Sequence, residues 1–251
     1  MNIKPRSPIE IKRFKKTIMK HSFGFEDLKN KIREKKGKEK QSFVFQKPSK
    51  NEPNFKIYKN GFIYKSINKY RLKIWQELLK KGLMLEEIES TSPNLKNAIA
   101  KEMKENGLII QDNDVLIKTK IGGIALASAK YKTMPWLLEH FKIDEKTRIE
   151  IAKQMIKTIT LLHNEGYIHG HPHIGNWVID LTKKKLTLRL IDMDRIQKAS
   201  RSEIVKEIGS NLHNSINNDI SIVLRETKYF ETAEAYRNFM REQVDKYRTW
   251  R

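Results

Sequence analysis

Five side chains that could take part in catalysis or metal binding lie between residues 169 and 192. Histidines alternate at His169, His171 and His173, Asn176 follows, and Asp192 stands 16 residues further along, at the end of an apolar run. A neutral imidazole can accept a proton near neutral pH. Amide and carboxylate oxygens are the donors that hard cations such as Mg²⁺ prefer. One short stretch therefore offers a proton acceptor and oxygen ligands.

The three histidines also permit a metal-centred interpretation. Alternate residues of an extended segment face the same way, and imidazole suits zinc, iron or copper. A metallohydrolase with His169, His171 and His173 as ligands is therefore an alternative, although the sequence offers no clear carboxylate or distant histidine to complete such a site.

The hydrophobic pattern predicts the elements that must position these residues. Asn-Gly between KIYK and FIYK indicates a β-hairpin, and Gly82 and Gly107 are typical helix ends. Asp144 is a good cap for a long amphipathic helix that reaches Glu165. Further strands are predicted in SFVF, LIIQ, DVLIKTKI, WVIDL and LTLRLIDM, and further helices in NKYRLKIWQELLKKG, SPNLKNAIAKEMKENG, MPWLLEHF and a tail from about Ser202.

This order of elements resembles the protein-kinase-like superfamily. A β-rich first half, a Gly-Gly connection, a long helix, an H-G-x loop, a hairpin and an Asp-bearing strand end follow one another. The loop resembles H-x-D-x-x-x-x-N, and IDMDR resembles the metal motif I-D-F-D-R, most closely in the compact bacterial lipopolysaccharide kinases that act on the Kdo sugar and more distantly in the RIO and Bud32 kinases. The resemblance implies an α+β, two-lobed fold, with a small antiparallel β N-lobe at 51–123 and a mainly helical C-lobe at 124–251. Helical spacing of apolar residues and an excess of basic residues predict a basic helical extension at 1–50.

The resemblance also implies roles for individual residues. Asp192 and Asn176 would hold Mg²⁺ or Mn²⁺ at the phosphates of ATP, and His171 would stand where the family has its catalytic aspartate. Lys65 would bind phosphate with a helical glutamate as its partner, for which Glu102 is favoured over the nearer Glu77. The hinge whose backbone groups meet adenine would be the segment 118–121, which includes Thr119, Lys120 and Ile121.

Two features depart from the family pattern. No glycine-rich loop precedes Lys65, where the only glycines are Gly24, Gly37 and Gly61. His171 brings no negative charge to the base position and is cationic at lower pH. The histidine in place of the catalytic aspartate predicts slow, alkaline-favoured phosphoryl transfer or none.

The composition indicates which partners and which cellular location to expect. The 251 residues carry a formal net charge of +21, and residues 1–50 alone contain 16 Lys and Arg against 5 Asp and Glu. Such a balance favours anionic partners such as nucleic acid, a membrane surface or a phosphorylated substrate. With no cysteine and no apolar run near the ~18 residues of a membrane span, a soluble cytoplasmic protein is expected, with peripheral membrane association through charge alone as an extension of that expectation.

The sequence therefore predicts an ATP- and Mg²⁺-dependent phosphotransferase that acts on a sugar or protein hydroxyl. The alternative is a pseudokinase that binds partners through its basic surface, with His171 and the absent glycine loop in its favour.

Overall fold

The computed structural model describes residues 30, 45–46, 55–59, 62–120, 123–126, 144–170, 172, 174–180, 182–200 and 233–247. Most of the predicted N-terminal extension, the predicted helix at 134–141 and the predicted tail between 202 and 232 lie outside these residues. Within the described part of the chain, no helix is long and apolar enough to cross a membrane.

An antiparallel five-stranded sheet forms the first half of the described chain. Its strands are β1 (Phe45–Gln46), β2 (Lys56–Lys59), β3 (Phe62–Asn68), β4 (Ile88–Ser90) and β5 (Asp114–Lys120), in the order β1-β2-β3-β5-β4. The predicted small antiparallel sheet and the α+β class are confirmed.

The Asn-Gly hairpin is confirmed by the register of β2 and β3. Lys59 pairs with Phe62, so two residues join the strands, and Lys56 therefore pairs with Lys65. Paired residues of neighbouring strands point to the same face of a sheet. The turn thus places two lysines side by side on one face.

Helix α1 (Lys69–Lys80) follows β3 directly. The Asn68 side chain caps it by accepting from the Tyr70 backbone N–H at 2.9 Å. After its end, Gly82 adopts φ +74°, the left-handed conformation that closes a helix at low cost. The helix buries the apolar face formed by Leu72, Ile74, Trp75 and Leu78.

The next predicted helix is interrupted, and one predicted strand is wrong. The structure has α2 (Leu95–Ala98) and α3 (Ala100–Glu105), separated at Ile99. Residues 108–111 form no strand, because both edges of β5 are already occupied by β3 and β4. Strand β4, which the sequence pattern did not indicate, fills one of those edges.

The long helix is confirmed as α4 (Glu145–Asn164). The Asp144 carboxylate caps it by accepting from the Thr147 N–H at 2.6 Å. The C-terminal helix α5 (Ala233–Tyr247) packs against it, and Asn164 Nδ2 donates to the Tyr247 carbonyl at 2.7 Å.

Smaller strands carry the residues that follow α4. Strands β6 (Gly123–Ala125), β8 (Trp177–Asp180) and β9 (Leu188–Leu190) form an antiparallel sheet in the order β6-β8-β9, which confirms the predicted hairpin of β8 and β9. Strands β7 (Tyr167–Ile168) and β10 (Gln197–Lys198) pair separately. Short 3₁₀ turns lie at Ile174–Asn176 and Met193–Arg195.

Two apolar clusters cover opposite faces of the five-stranded sheet. Ile67 and Ile117 belong to the larger cluster, which also takes residues from α1, α4, β8 and β9. Tyr64 and Leu116 belong to the smaller cluster, against α2 and α3. The larger cluster contains residues from both sides of the predicted boundary at 123–124. The assignment of the two lobes stays a prediction.

Candidate active site

Two lysines project from the sheet toward the end of β9. Lys56 on β2 and Lys65 on β3 are partners in the antiparallel register. Lys65 has a side chain only 2% exposed, and its ammonium lies 4.9 Å from the centre of the Trp75 ring. A lysine is almost never buried to this degree unless it is paired, so its partners define the site.

The carboxylate partner of Lys65 is Glu86, at 3.1 Å between Nζ and Oε2, and Glu86 is buried as well. The Glu86 backbone is fixed on both sides: its N–H donates to the Leu190 carbonyl at 2.8 Å, and its carbonyl accepts from Trp75 Nε1 at 2.8 Å. The acid is therefore held by an extended segment that runs beside β9.

The predicted pairing of Lys65 with Glu102 is wrong. Glu102 on α3 pairs with Lys59 at 2.8 Å. Side chains alternate between the faces of a sheet, so Lys59 points to the face opposite Lys56 and Lys65, and α3 packs on that opposite face. Glu77, the other candidate, is exposed on α1.

Two aspartates face the lysines from the end of β9. Asp192 Oδ1 lies 2.6 Å from Lys56 Nζ, and Asp194 lies 3.6 Å from Lys56 and 3.7 Å from Lys65. The site is therefore an alternating cluster of two ammonium groups and three carboxylates, Glu86 included.

The backbone at Asp192 is in the left-handed region, with φ 67° and ψ 55°. Among the described residues it is the one non-glycine with positive φ. Such conformations cost free energy and concentrate at functional sites. Two contacts support the turn: Arg71 donates to the Asp194 carbonyl, and the Asp192 N–H lies 3.4 Å from Glu86 Oε2.

The histidine-containing loop is held against the same turn. His169 Nε2 lies 2.9 Å from the Ile191 carbonyl, and the Ile191 N–H donates to the Asn176 carbonyl at 2.8 Å. Gly170 has φ +82°, and a Cβ there would lie 3.0 Å from the Arg195 carbonyl oxygen. The structure thus brings the buried Asn176 next to the residue that precedes Asp192.

The remaining predicted residues are distributed as follows. Thr119 lies inside the sheet, paired with Ile63 and Ile88, and it is fully buried. Lys120 is exposed at the end of β5. Ile121 and His171 lie outside the described residues, so the hinge and the base position stay predictions.

The charges of the cluster shift one another's pKa values. Burial disfavours the Lys65 ammonium, but the carboxylates of Glu86, Asp194 and Asp192 together outweigh burial and hold the pKa of Lys65 above the ordinary range. The pKa of Lys56 is also raised, because the carboxylates of Asp194 and Asp192 outweigh the effect of burial. Burial also opposes ionisation of Asp192, yet Lys56 and Lys65 hold its pKa well below its usual range.

The pKa of Asp194 shifts in the opposite direction from that of Asp192. Burial raises the pKa of this carboxyl, Lys65 counteracts the effect, and the negative charge of Asp192 adds to it. Its Oδ1 is buried without a hydrogen bond. A buried carboxylate oxygen in this condition is suited to a further cation.

Oxygen donors of this kind fit Mg²⁺ or Mn²⁺. Among the residues that the structure describes, no group of three acidic or imidazole side chains is arranged to hold a metal ion alone. Mg²⁺ commonly keeps several waters and is bound by one or two carboxylates together with substrate phosphates. Asp192 and Asp194 would therefore hold the cation with water as the remaining ligands, and more firmly when a nucleotide supplies phosphate oxygens.

Sequence reasoning missed Lys56, Glu86 and Asp194. The two-residue turn could have revealed Lys56, since it fixes the register that pairs it with Lys65. Asp194 follows Asp192 by two residues in IDMDR. Glu86 had no comparable signal, because it lies in an extended segment after α1 rather than on a helix.

Comparisons with known proteins identify no family for this chain. No protein-family signature matches it, and no curated protein sequence matches it. Among solved structures, WaaP in complex with acyl carrier protein is similar at 12% identity and a TM-score of 0.42, over 81% of this chain and 89% of that chain. The interpretation of the site therefore rests on its own geometry.

Proposed function

We propose that this protein is a kinase-like phosphotransferase with a two-lobed fold that binds ATP with Mg²⁺ or Mn²⁺. The observation that supports the proposal most strongly is the buried Lys65–Glu86 pair, which faces Asp192 and Asp194 across the cluster. Phosphoryl transfer needs little beyond positioning and charge neutralisation. A fixed ammonium opposite metal-binding carboxylates supplies both.

Each residue has a distinct part in the proposed reaction. Lys65 contacts the phosphates, and Glu86 keeps its ammonium in place. Asp192, Asp194 and Asn176 would hold the cation, which would neutralise charge on the transferring group. His171 accepts the acceptor's proton.

The proposed reaction is a displacement at the γ-phosphorus of ATP. The acceptor oxygen of a sugar or protein hydroxyl forms a bond to the γ-phosphorus of ATP, the bond from that phosphorus to the β–γ bridging oxygen breaks, and ADP leaves. The hydroxyl proton passes to the imidazole. Because that imidazole must be neutral, transfer is favoured on the alkaline side of its titration.

A pseudokinase that binds partners through its basic surface is the second candidate. One contact favours it: Lys56 lies 2.6 Å from Asp192, so the carboxylate already has a cationic partner. In that case nucleotide binding would be weak or independent of metal.

Thermal unfolding with ATP, Mg²⁺ and Mn²⁺, separately and together, tests the proposal. At a ligand concentration of about 100 Kd, binding stabilises the folded state by ~2.7 kcal/mol, which is a rise in midpoint of roughly 5–10 °C for a chain of this size. We expect this rise with metal and ATP together, and its loss in Asp192→Asn. Asp112→Asn, at an exposed turn position, is the matched control and should retain it.

Two results decide between the candidates. The absence of any shift in the parent protein would refute the phosphotransferase proposal. If the shift occurs, ADP formation by His171→Asp is compared with the parent. A silent parent and an active His171→Asp variant would identify a pseudokinase, whereas loss of activity in that variant would make His171 functional.

A further inference from the structure

Lys56 is the one member of the charged cluster to which the proposed reaction assigns no part. Its ammonium is 2.6 Å from Asp192 and 3.6 Å from Asp194. It thus contacts the two carboxylates that would hold a divalent cation, from the strand next to Lys65.

We propose that Lys56 is an internal counter-ion that competes with the divalent cation for Asp192. In the free protein its ammonium neutralises the carboxylate, and binding of metal and nucleotide releases it toward the phosphates. This inference rests on the proposed function, because it assigns Asp192 as a metal ligand.

The geometry supports competition rather than a purely structural ion pair. The Lys56 side chain is 13% exposed and that of Asp192 18% exposed, so both can exchange partners without unfolding the sheet. Lys65, at 2% exposed and bonded to Glu86, cannot leave its place in this way. The two neighbouring lysines are therefore not equivalent: one is fixed and the other can move.

The cluster also needs Lys56 when no metal is bound. Asp192 lies 2.6 Å and Asp194 lies 3.6 Å from the same Lys56 ammonium, so the two carboxylates are near each other, and like charges at such proximity repel. A lysine ammonium between them relieves that repulsion. A divalent cation would do the same with higher charge, which makes the two occupants alternatives.

Titration of the protein with Mn²⁺ alone, followed by calorimetry, tests this inference. We expect Lys56→Met to bind Mn²⁺ at least about tenfold more tightly than the parent, which corresponds to ~1.4 kcal/mol of competition removed. Lys56→Arg keeps the positive charge and should stay close to the parent. Lys59→Met removes the same charge from the same strand but on the opposite face, and it should leave Mn²⁺ affinity unchanged.

A second neutral variant keeps the test decisive if the first variant does not fold. If Lys56→Met does not fold, as judged by circular dichroism, Lys56→Gln is used, because its amide can still hydrogen-bond to Asp192. Asp192→Asn in the Lys56→Met or Lys56→Gln background must abolish the tighter Mn²⁺ binding. Equal or weaker Mn²⁺ affinity in both neutral variants would overturn the inference.

The inference and the proposed function fail in distinguishable ways. If ATP with Mn²⁺ stabilises the parent but neutral Lys56 variants bind Mn²⁺ no more tightly, the phosphotransferase proposal stands and the competition is refuted. If those variants bind Mn²⁺ more tightly through Asp192 while no variant binds ATP, the competition is supported and the phosphotransferase proposal is refuted.

Discussion

Removal of the carboxylate charge from Glu86 tests whether the buried Lys65 depends on that residue. Deleting one partner of a buried ion pair typically costs about 3–5 kcal/mol, because the other charge is left uncompensated. Here Asp194 remains 3.7 Å from Lys65, and a glutamine amide oxygen can still accept from the ammonium. We therefore expect Glu86→Gln to lower the free energy of unfolding by ~3 kcal/mol, at the lower end of that range.

The assay is urea denaturation followed by circular dichroism and tryptophan fluorescence. Trp75 donates to the Glu86 carbonyl, so its emission reports on the altered neighbourhood. In thermal unfolding, ~3 kcal/mol corresponds to a fall of roughly 6–12 °C in midpoint.

Glu102→Gln is the matched control. It makes the same chemical change in an ion pair whose lysine side chain is 30% exposed, where pairs contribute up to about 1 kcal/mol. If Glu102→Gln destabilised the protein as much as Glu86→Gln, the assignment of Glu86 as the partner of Lys65 would be refuted.

Two further changes address the turn at Asp192. Gly170→Ala forces a Cβ at positive φ to within 3.0 Å of the Arg195 carbonyl, so it should lower the free energy of unfolding, measured by urea denaturation, by ~2–4 kcal/mol. Gly107→Ala, with open space around its Cβ position, should lower it by only ~1 kcal/mol. Equal losses in the two variants would contradict the close packing of the loop. Because the pKa of Asp192 is lowered in the folded state, its ionisation stabilises the protein above the unfolded-state pKa of about 3.9 and this contribution is lost as pH falls toward the folded value. The difference in unfolding free energy between the parent and Asp192→Asn should therefore be largest above about pH 5 and shrink by about pH 3, and a difference that grew with acidity would contradict the ion pair with Lys56.

The elements that the sequence predicted well are those with local signals. The Asn-Gly turn determines a hairpin within a dozen residues, and Asp144 starts α4 through a contact three residues away. The same is true of the hairpin that leads to Asp192. In each case the chemistry that determines the structure lies within the segment itself.

The site was harder to predict because its contacts are distant in sequence. The partner of Lys65 was sought on a helix, and Glu102 satisfies that pattern. Which face of the sheet α3 covers depends on packing that no local pattern encodes, and that face decides between Lys59 and Lys65. Glu86 is held by β9, about a hundred residues further along the chain.

The separations within the charged cluster have a consequence for synthesis of the protein. Glu86 follows Lys65 by 21 residues in the sequence, whereas Asp192 follows Lys56 by 136 residues. During translation, which adds residues from the N-terminus onward, the lysine that ends up buried thus has its carboxylate available early. The counter-charge of Lys56 is synthesised only 136 residues after the lysine itself, so this contact closes a much longer loop than the Lys65–Glu86 pair does.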